Sequence, residues 1–281
     1  MAAARPQLSV EVFKQAFRRF LADDCLGLAK EVAYSSLLAF FPAVVALVGL
    51  LDLVGAYDVL QRFLDPVAPK AVVDLIRSFR ADTGGGGSIV ALLVGIAGAL
   101  WAATGAMGSV VKAVNRAEER PETRPFWKVR LIALMLVAAT VVVAAGTLLL
   151  IVLGGTLGDA IAAKANLGGA FTWVWNISRW PLAFIAVLLF FALIYYLAPD
   201  VEERRWQWLT PGSVLGALMW VALSGLFSLY TAFSDSYSKT YGTLAGGIVL
   251  LLWLNYSAWA ILFGAELNAE LARRQARNSA P

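Results

Sequence analysis

Six stretches of the chain carry no Asp, Glu, Lys or Arg: 32–51, 88–111, 131–153, 181–198, 211–234 and 243–265, each 18 to 24 residues long. A hydrocarbon layer of about 30 Å is crossed by roughly 20 apolar residues at 1.5 Å of rise each, so each stretch meets or nearly meets the length of a transmembrane helix. Buried helices of a soluble protein usually carry a polar stripe, and a β-barrel needs strands of about ten alternating residues; neither pattern describes these stretches. Composition agrees, with 60% hydrophobic and 15% charged residues, where soluble domains run nearer half and a quarter. The sequence therefore predicts an all-α, polytopic membrane protein with six transmembrane helices, at about 32–54, 88–111, 131–153, 181–198, 211–234 and 243–265. Residues 1–281 read as a single membrane domain.

The segments outside the spans set the orientation. Sixteen of the 23 Lys and Arg residues lie before residue 32, in 112–130, in 199–210 or after residue 265. Basic residues are retained in the cytoplasm, so both termini are expected there. Val10, Phe13, Phe17, Phe20 and Leu21 recur at helical spacing opposite Glu11, Lys14, Gln15, Arg18 and Arg19. This predicts an N-terminal interfacial amphipathic helix with membrane lipids as its partner, the alternative being a helix packed under the bundle. The charged run from Ser9 to Leu21 does not read as a cleavable signal peptide. Residues 55–87 are expected to form a helical external loop, with short helices at Tyr57–Leu64 and Ala71–Phe79 separated by Pro66 and Pro69. Four glycines, Gly84 to Gly87, close it as a hinge, and no phosphate-loop lysine follows them. In 154–180, Gly154, Gly155, Gly158, Gly168 and Gly169 argue for irregular structure.

Within the spans, Pro42 removes a backbone donor to Leu38 and is expected to kink the first helix. With Tyr34 and Ser35 it could line a hydrated, inward-opening cavity. Asn255, Trp259 and Glu266 fall at i, i+4 and i+11 on the last span, with Asn268 just beyond, and Asn115 ends the second span. These eight residues form the candidate cavity or gating set, although a structural pairing of Glu266 with Lys30 or Arg130 is the plainer role. Gly98, Ala102, Gly105 and Ser109 share one helix face, and Gly212 and Gly216 form a GxxxG; both read as helix-packing surfaces.

Enzymatic chemistry has little material here. The chain has no His and a single Cys, Cys25, so a Ser–His pair, an HExxH site and a disulfide are all closed. Its carboxylates form no DxD or DxxxD cluster for paired metal ions. No catalytic residue, metal, cofactor or nucleic-acid partner is expected. With no ionised group inside a span, an amphiphilic or lipid-like substrate suits transport better than a charged solute.

Several blocks also carry a resemblance. They are Ala33-Tyr34, Phe40-Phe41-Pro42, Trp101, Asn115-Arg116 and Arg124-Pro125-Phe126-Trp127, then Tyr195-Tyr196-Leu197-Ala198-Pro199-Asp200, Thr210-Pro211-Gly212-Ser213, Tyr241-Gly242-Thr243-Leu244 and Gly264-Ala265-Glu266-Leu267-Asn268-Ala269. In this order they resemble the YihY/BrkB family of bacterial inner-membrane proteins over nearly the whole chain. The resemblance implies a six-helix protein of the cytoplasmic membrane, for which ribonuclease, virulence-factor and transporter roles have all been suggested, and it assigns no catalytic residues. Two function classes follow: a transporter or translocator of a lipid-like envelope compound, or a non-transporting structural or assembly factor of the envelope.

Overall fold

A computed structural model describes residues 9–53, 55, 89–165, 168–201, 209–232 and 244–279. All regular structure among them is helical. In chain order the helices are α1 (Val10–Ala22), α2 (Cys25–Leu53), α3 (Ile89–Ala117), α4 (Phe126–Leu148), α5 (Gly154–Lys164), α6 (Gly169–Leu197), α7 (Pro211–Ala232) and α8 (Leu244–Ser279), with a π-helical turn at Leu149–Leu153. The expected external helices at 57–64 and 71–79 lie outside the described residues.

Contacts run α2 to α3, α3 to α4, α4 to α6, α6 to α7, α7 to α8 and α8 back to α2, which closes a ring of six long helices. Neighbouring helices around the ring run in opposite directions, and α1, the 118–125 connection, residues 198–201 and the end of α8 gather at one end of it. Five described helices, α3, α4, α6, α7 and α8, are long and apolar enough to cross a membrane. The first expected span is helical throughout within α2, but several of its outer side chains fall outside the described residues. Five of the six expected spans thus have a described helix of sufficient length and apolarity, and the chain is an all-α polytopic membrane protein.

The described core sits towards the charged end. Val111 and Val114 of α3, Ile194 of α6 and Leu262 of α8 pack there, shut off from the surface. On α1, Val12, Ala16 and Phe20 turn inward at i, i+4 and i+8, and Val12 and Ala16 meet Leu267 and Leu271 of α8. Val10, Phe13, Phe17 and Leu21 form a neighbouring stripe that stays exposed. Helix α1 thus packs under the bundle along one stripe and presents apolar side chains outward along the next.

Two expectations are corrected. The described residues of 154–180 are almost wholly helical: the π-helical turn carries α4 into α5, and α6 begins at Gly169, twelve residues before the expected span. The indole of Trp175 occupies the place where a side chain on Gly158 would stand, and its Nε1 donates to the Gly154 carbonyl at 2.5 Å. The glycines here admit a tryptophan against a helix. In addition, α8 does not stop near residue 265 but continues helically to Ser279.

Candidate functional site

At the charged end, the helix termini are sealed by side chains. The last carbonyls of α6 point past the helix with no intrahelical donor. Arg124, with 9% of its side chain exposed, supplies donors: Nη1 reaches Leu197 O at 3.3 Å and Nη2 reaches Ala198 O at 2.8 Å. The same guanidinium forks onto Glu122, from Nε to Oε1 at 2.7 Å and from Nη2 to Oε2 at 2.6 Å. That hydrogen-bonded carboxylate holds the Arg124 pKa above its ordinary value. Asp200 Oδ2 accepts from Thr123 N at 2.7 Å and Thr123 Oγ1 at 2.6 Å. Asn115, buried at the end of α3, donates to Glu122 Oε2 and accepts from Asp200 N, both at 2.8 Å.

A second knot joins α7 to α8. Thr210 caps α7, accepting from Ser213 N at 3.0 Å while Ser213 Oγ accepts from Thr210 N at 3.0 Å, and Pro211 takes the first helical position, where a missing N–H costs nothing. Asn268 Oδ1 accepts from Gly212 N at 2.9 Å, and Asn268 Nδ2 donates to Thr210 Oγ1 at 3.1 Å. Gly212 and Gly264 lie backbone against backbone, and Tyr195 donates to Ile261 O at 2.7 Å beside them.

Glu266 and Glu270, one turn apart on α8, are both fully buried. Cys25 Sγ donates to Glu266 Oε1 at 3.6 Å, and Arg273 Nη2 stands 3.7 Å from Oε2. Glu266 is thus paired with Arg273, not with Lys30 or Arg130. Burial, reinforced by the Glu266 carboxylate, pushes the Cys25 thiol pKa up. Arg274 Nε donates to Glu270 Oε1 at 2.8 Å, while Arg273 and Arg19 stand 3.5 and 3.7 Å from Oε2. Arg19 and Arg273 also pair with Glu119, tying α1, α8 and the 118–125 connection together.

Between the start of α2, the last turns of α3 and the residues after it lies a cleft of about 380 Å³. Asp23, Asp24, Leu28, Lys112, Asn115, Arg116, Arg120 and Glu122 line it. Lys112 bonds Glu31 at 2.9 Å, and Arg120 bonds Glu118 at 3.1 Å. Burial raises the Glu118 pKa, with Arg120 and Arg273 opposing. Arg116 has no ion-pair partner among the described residues, and the Asp23 carboxylate stands against that of Glu266. The cleft thus presents both signs of charge, with Arg116 as the cation left over.

Of the eight sequence-predicted residues, Asn115, Glu266 and Asn268 come to this charged end, and only Asn115 lines the cleft. Ser35 bonds Ser109 at 3.2 Å, joining α2 to α3. Tyr34 is 61% exposed and stands on the outside of the bundle. Pro42 is half-buried within an unbroken α2. Asn255 Oδ1 and Trp259 Nε1 are buried without partners among the described residues, and the Trp259 ring lies edge-on to Tyr256 at 5.0 Å. No group of three or more Cys, Asp or Glu that could hold a metal occurs among the described residues. Sequence reasoning missed Arg124, Glu270 and Arg273. The spacing of Glu266, Glu270, Arg273 and Arg274 at i, i+4, i+7 and i+8 carries the signal for the α8 pairs.

Comparison with known proteins places these features in context. The family model described as virulence factor BrkB matches residues 16–281. A ribonuclease-like protein of Bacillus subtilis (strain 168), YfkH, is 30% identical over 93% of this chain and 95% of its own length. UPF0761 membrane proteins of Stenotrophomonas maltophilia (strain K279a) and Xanthomonas oryzae pv. oryzae (strain PXO99A) are each 26% identical over 91% of this chain, which spans 59% of their length. No solved structure matches. With the family match running from α1 to the end of α8, the chain belongs to the BrkB family of membrane proteins.

Proposed function

We propose that this protein is a translocator of a lipid-like or amphiphilic envelope compound in the bacterial cytoplasmic membrane, with both termini in the cytoplasm, and that it is not an enzyme. The mixed-charge cleft carries the proposal. It lies at the end of the bundle where the basic connections gather, the end that the positive-inside rule assigns to the cytoplasm. Its spare cation, Arg116, and its lining carboxylates, above all the exposed Asp24, suit a headgroup bearing both charges, and the exposed apolar side chains of Leu38 and Leu100 on the flanking helices suit the tails. The word ribonuclease attaches to the Bacillus relative. Here the absence of His from the whole chain argues against metal-dependent RNA cleavage.

The test is flux of headgroup-labelled phospholipid in vesicles containing the purified protein. Transfer above protein-free vesicles, slowed several-fold by Arg116→Gln and by Asp24→Asn, is the expected result. Flux equal to that of empty vesicles over a broad lipid panel overturns the proposal. A second reading, an envelope assembly factor that transports nothing, draws on one observation: the interior behind the cleft is close-packed around Val111, Val114, Ile194 and Leu262.

A further inference from the structure

Arg130 reaches away from the charged end. Arg130 lies at the second turn of α4, and its guanidinium reaches across to α3, where Nη1 donates to Thr104 Oγ1 at 2.8 Å and to Trp101 O at 3.3 Å. Thr104 precedes Asn115 by eleven residues, so this contact lies about 16 Å along α3 from the sealed end. It falls inside the expected span 88–111, which makes Arg130 an exception to the charge-free interior. Helix α3 makes room for it with small side chains: the nearest neighbour to a side chain built on Gly105 would be Arg130 Nη1, at 3.8 Å.

Both acceptors of Arg130 are neutral, and no carboxylate pairs with it among the described residues. Nη1 makes both bonds, leaving Nε and Nη2 without partners there. Two rings face the guanidinium carbon, Trp101 at 4.4 Å and Phe126 at 5.4 Å. These rings are 69% and 70% exposed, on the least covered of the five apolar spans and its neighbour. A cation at membrane depth normally faces the bundle interior or pairs with an anion. This one lies half-buried between two outward-facing aromatic rings, and its free edge is the planar fork that binds phosphate oxygens in a bidentate manner.

We propose that the groove between α3 and α4 binds the phosphate of a membrane lipid, with Arg130 as the anion-binding residue and Trp101 and Phe126 as its walls. The acyl chains run along the apolar outer face of α4. This site is separate from the charged cleft, and it stands whether or not that cleft moves a substrate.

Native mass spectrometry of the purified full chain in detergent decides it, with dioleoyl phosphatidylglycerol, dioleoylglycerol and inorganic phosphate as probes. The phosphatidylglycerol is expected to bind the wild-type chain, roughly tenfold to a hundredfold weaker after Arg130→Gln, the span expected for a lost charge-assisted hydrogen bond. Arg130→Lys falls between, and dioleoylglycerol, which has the same chains and no phosphate, shows no binding that depends on Arg130. Should Arg130→Gln fail to fold, Trp101→Leu replaces it, since Trp101 is mostly exposed; several-fold weaker phosphatidylglycerol binding supports the site. Equal binding to the wild-type chain and the variant overturns the proposal, as does equal binding of the two lipids. Displacement of the phosphatidylglycerol by millimolar inorganic phosphate also overturns it, by making the site one for soluble oxyanions.

Discussion

Gly264→Ala is the sharpest probe of how the bundle is held together. A Cβ at this position would stand 2.5 Å from the Gly212 carbonyl oxygen and collide with the Tyr195 hydroxyl. Carbon and oxygen approach to about 3.3 Å even in weak hydrogen bonds, so α7 and α8 must part by roughly 0.8 Å or Tyr195 must move. Overpacking of this kind costs about 1–3 kcal/mol. Displacing Tyr195 also breaks its bond to Ile261 O, worth about 1 kcal/mol. The combined loss is about 2–4 kcal/mol, read by unfolding in mixed micelles of mild detergent and dodecyl sulfate. Gly98→Ala is the control: nothing lies within 4 Å of its Cβ, and a helical Gly→Ala exchange without a clash should be neutral or stabilising by up to about 1 kcal/mol. In a Tyr195→Phe background part of the Gly264→Ala cost should disappear, because the clashing hydroxyl is gone. A Gly264→Ala loss below about 0.5 kcal/mol, equal to the control, would refute the close α7–α8 contact.

Two further predictions concern the charged end. Arg124→Gln leaves Glu122 and the carbonyls of Leu197 and Ala198 short of a partner; breaking a buried pair costs about 3–5 kcal/mol, and the partial exposure of Glu122 lowers the expected loss to about 2–3 kcal/mol. Arg124→Lys should recover only part of it in the same unfolding assay, because an ammonium cannot serve a carboxylate and two carbonyls in one plane. Cys25, buried and with its thiol pKa raised by burial and by Glu266, should resist maleimide at pH 8 in the folded protein and react fully in denaturant. Modification of the folded chain would show that α1 does not close over the start of α2.

The spans could be found from sequence because ionised side chains are costly in hydrocarbon and their absence leaves long clean intervals. The same criterion could not find Arg130. A span delimited by the first charge it meets always places that charge outside, whereas the structure carries the guanidinium to Thr104. The glycines of 154–169 misled for a related reason: composition does not separate a glycine that breaks a helix from one that admits a ring such as Trp175. The candidate site was legible in part. Asn115 and Asn268 are polar side chains at span ends with few local partners, and both hold connections together. Tyr34 and Pro42 suggested a cavity, but the rotation of α2 that turns Tyr34 outward is set by its long contact with α3, which no local pattern encodes. The Arg124 cap joins residues 73 and 74 positions apart, a pairing that only the closed ring brings about.

The account rests on one bundle end collecting α1, residues 118–125 and the end of α8, with α5 at the other. Single cysteines introduced as Glu119→Cys, Ser279→Cys and Asp159→Cys, labelled in intact cells with a membrane-impermeant maleimide, test this most directly. Asp159→Cys should be labelled from outside, while Glu119→Cys and Ser279→Cys should react only after the membrane is opened. Labelling of Glu119→Cys and Asp159→Cys from the same side would contradict the arrangement.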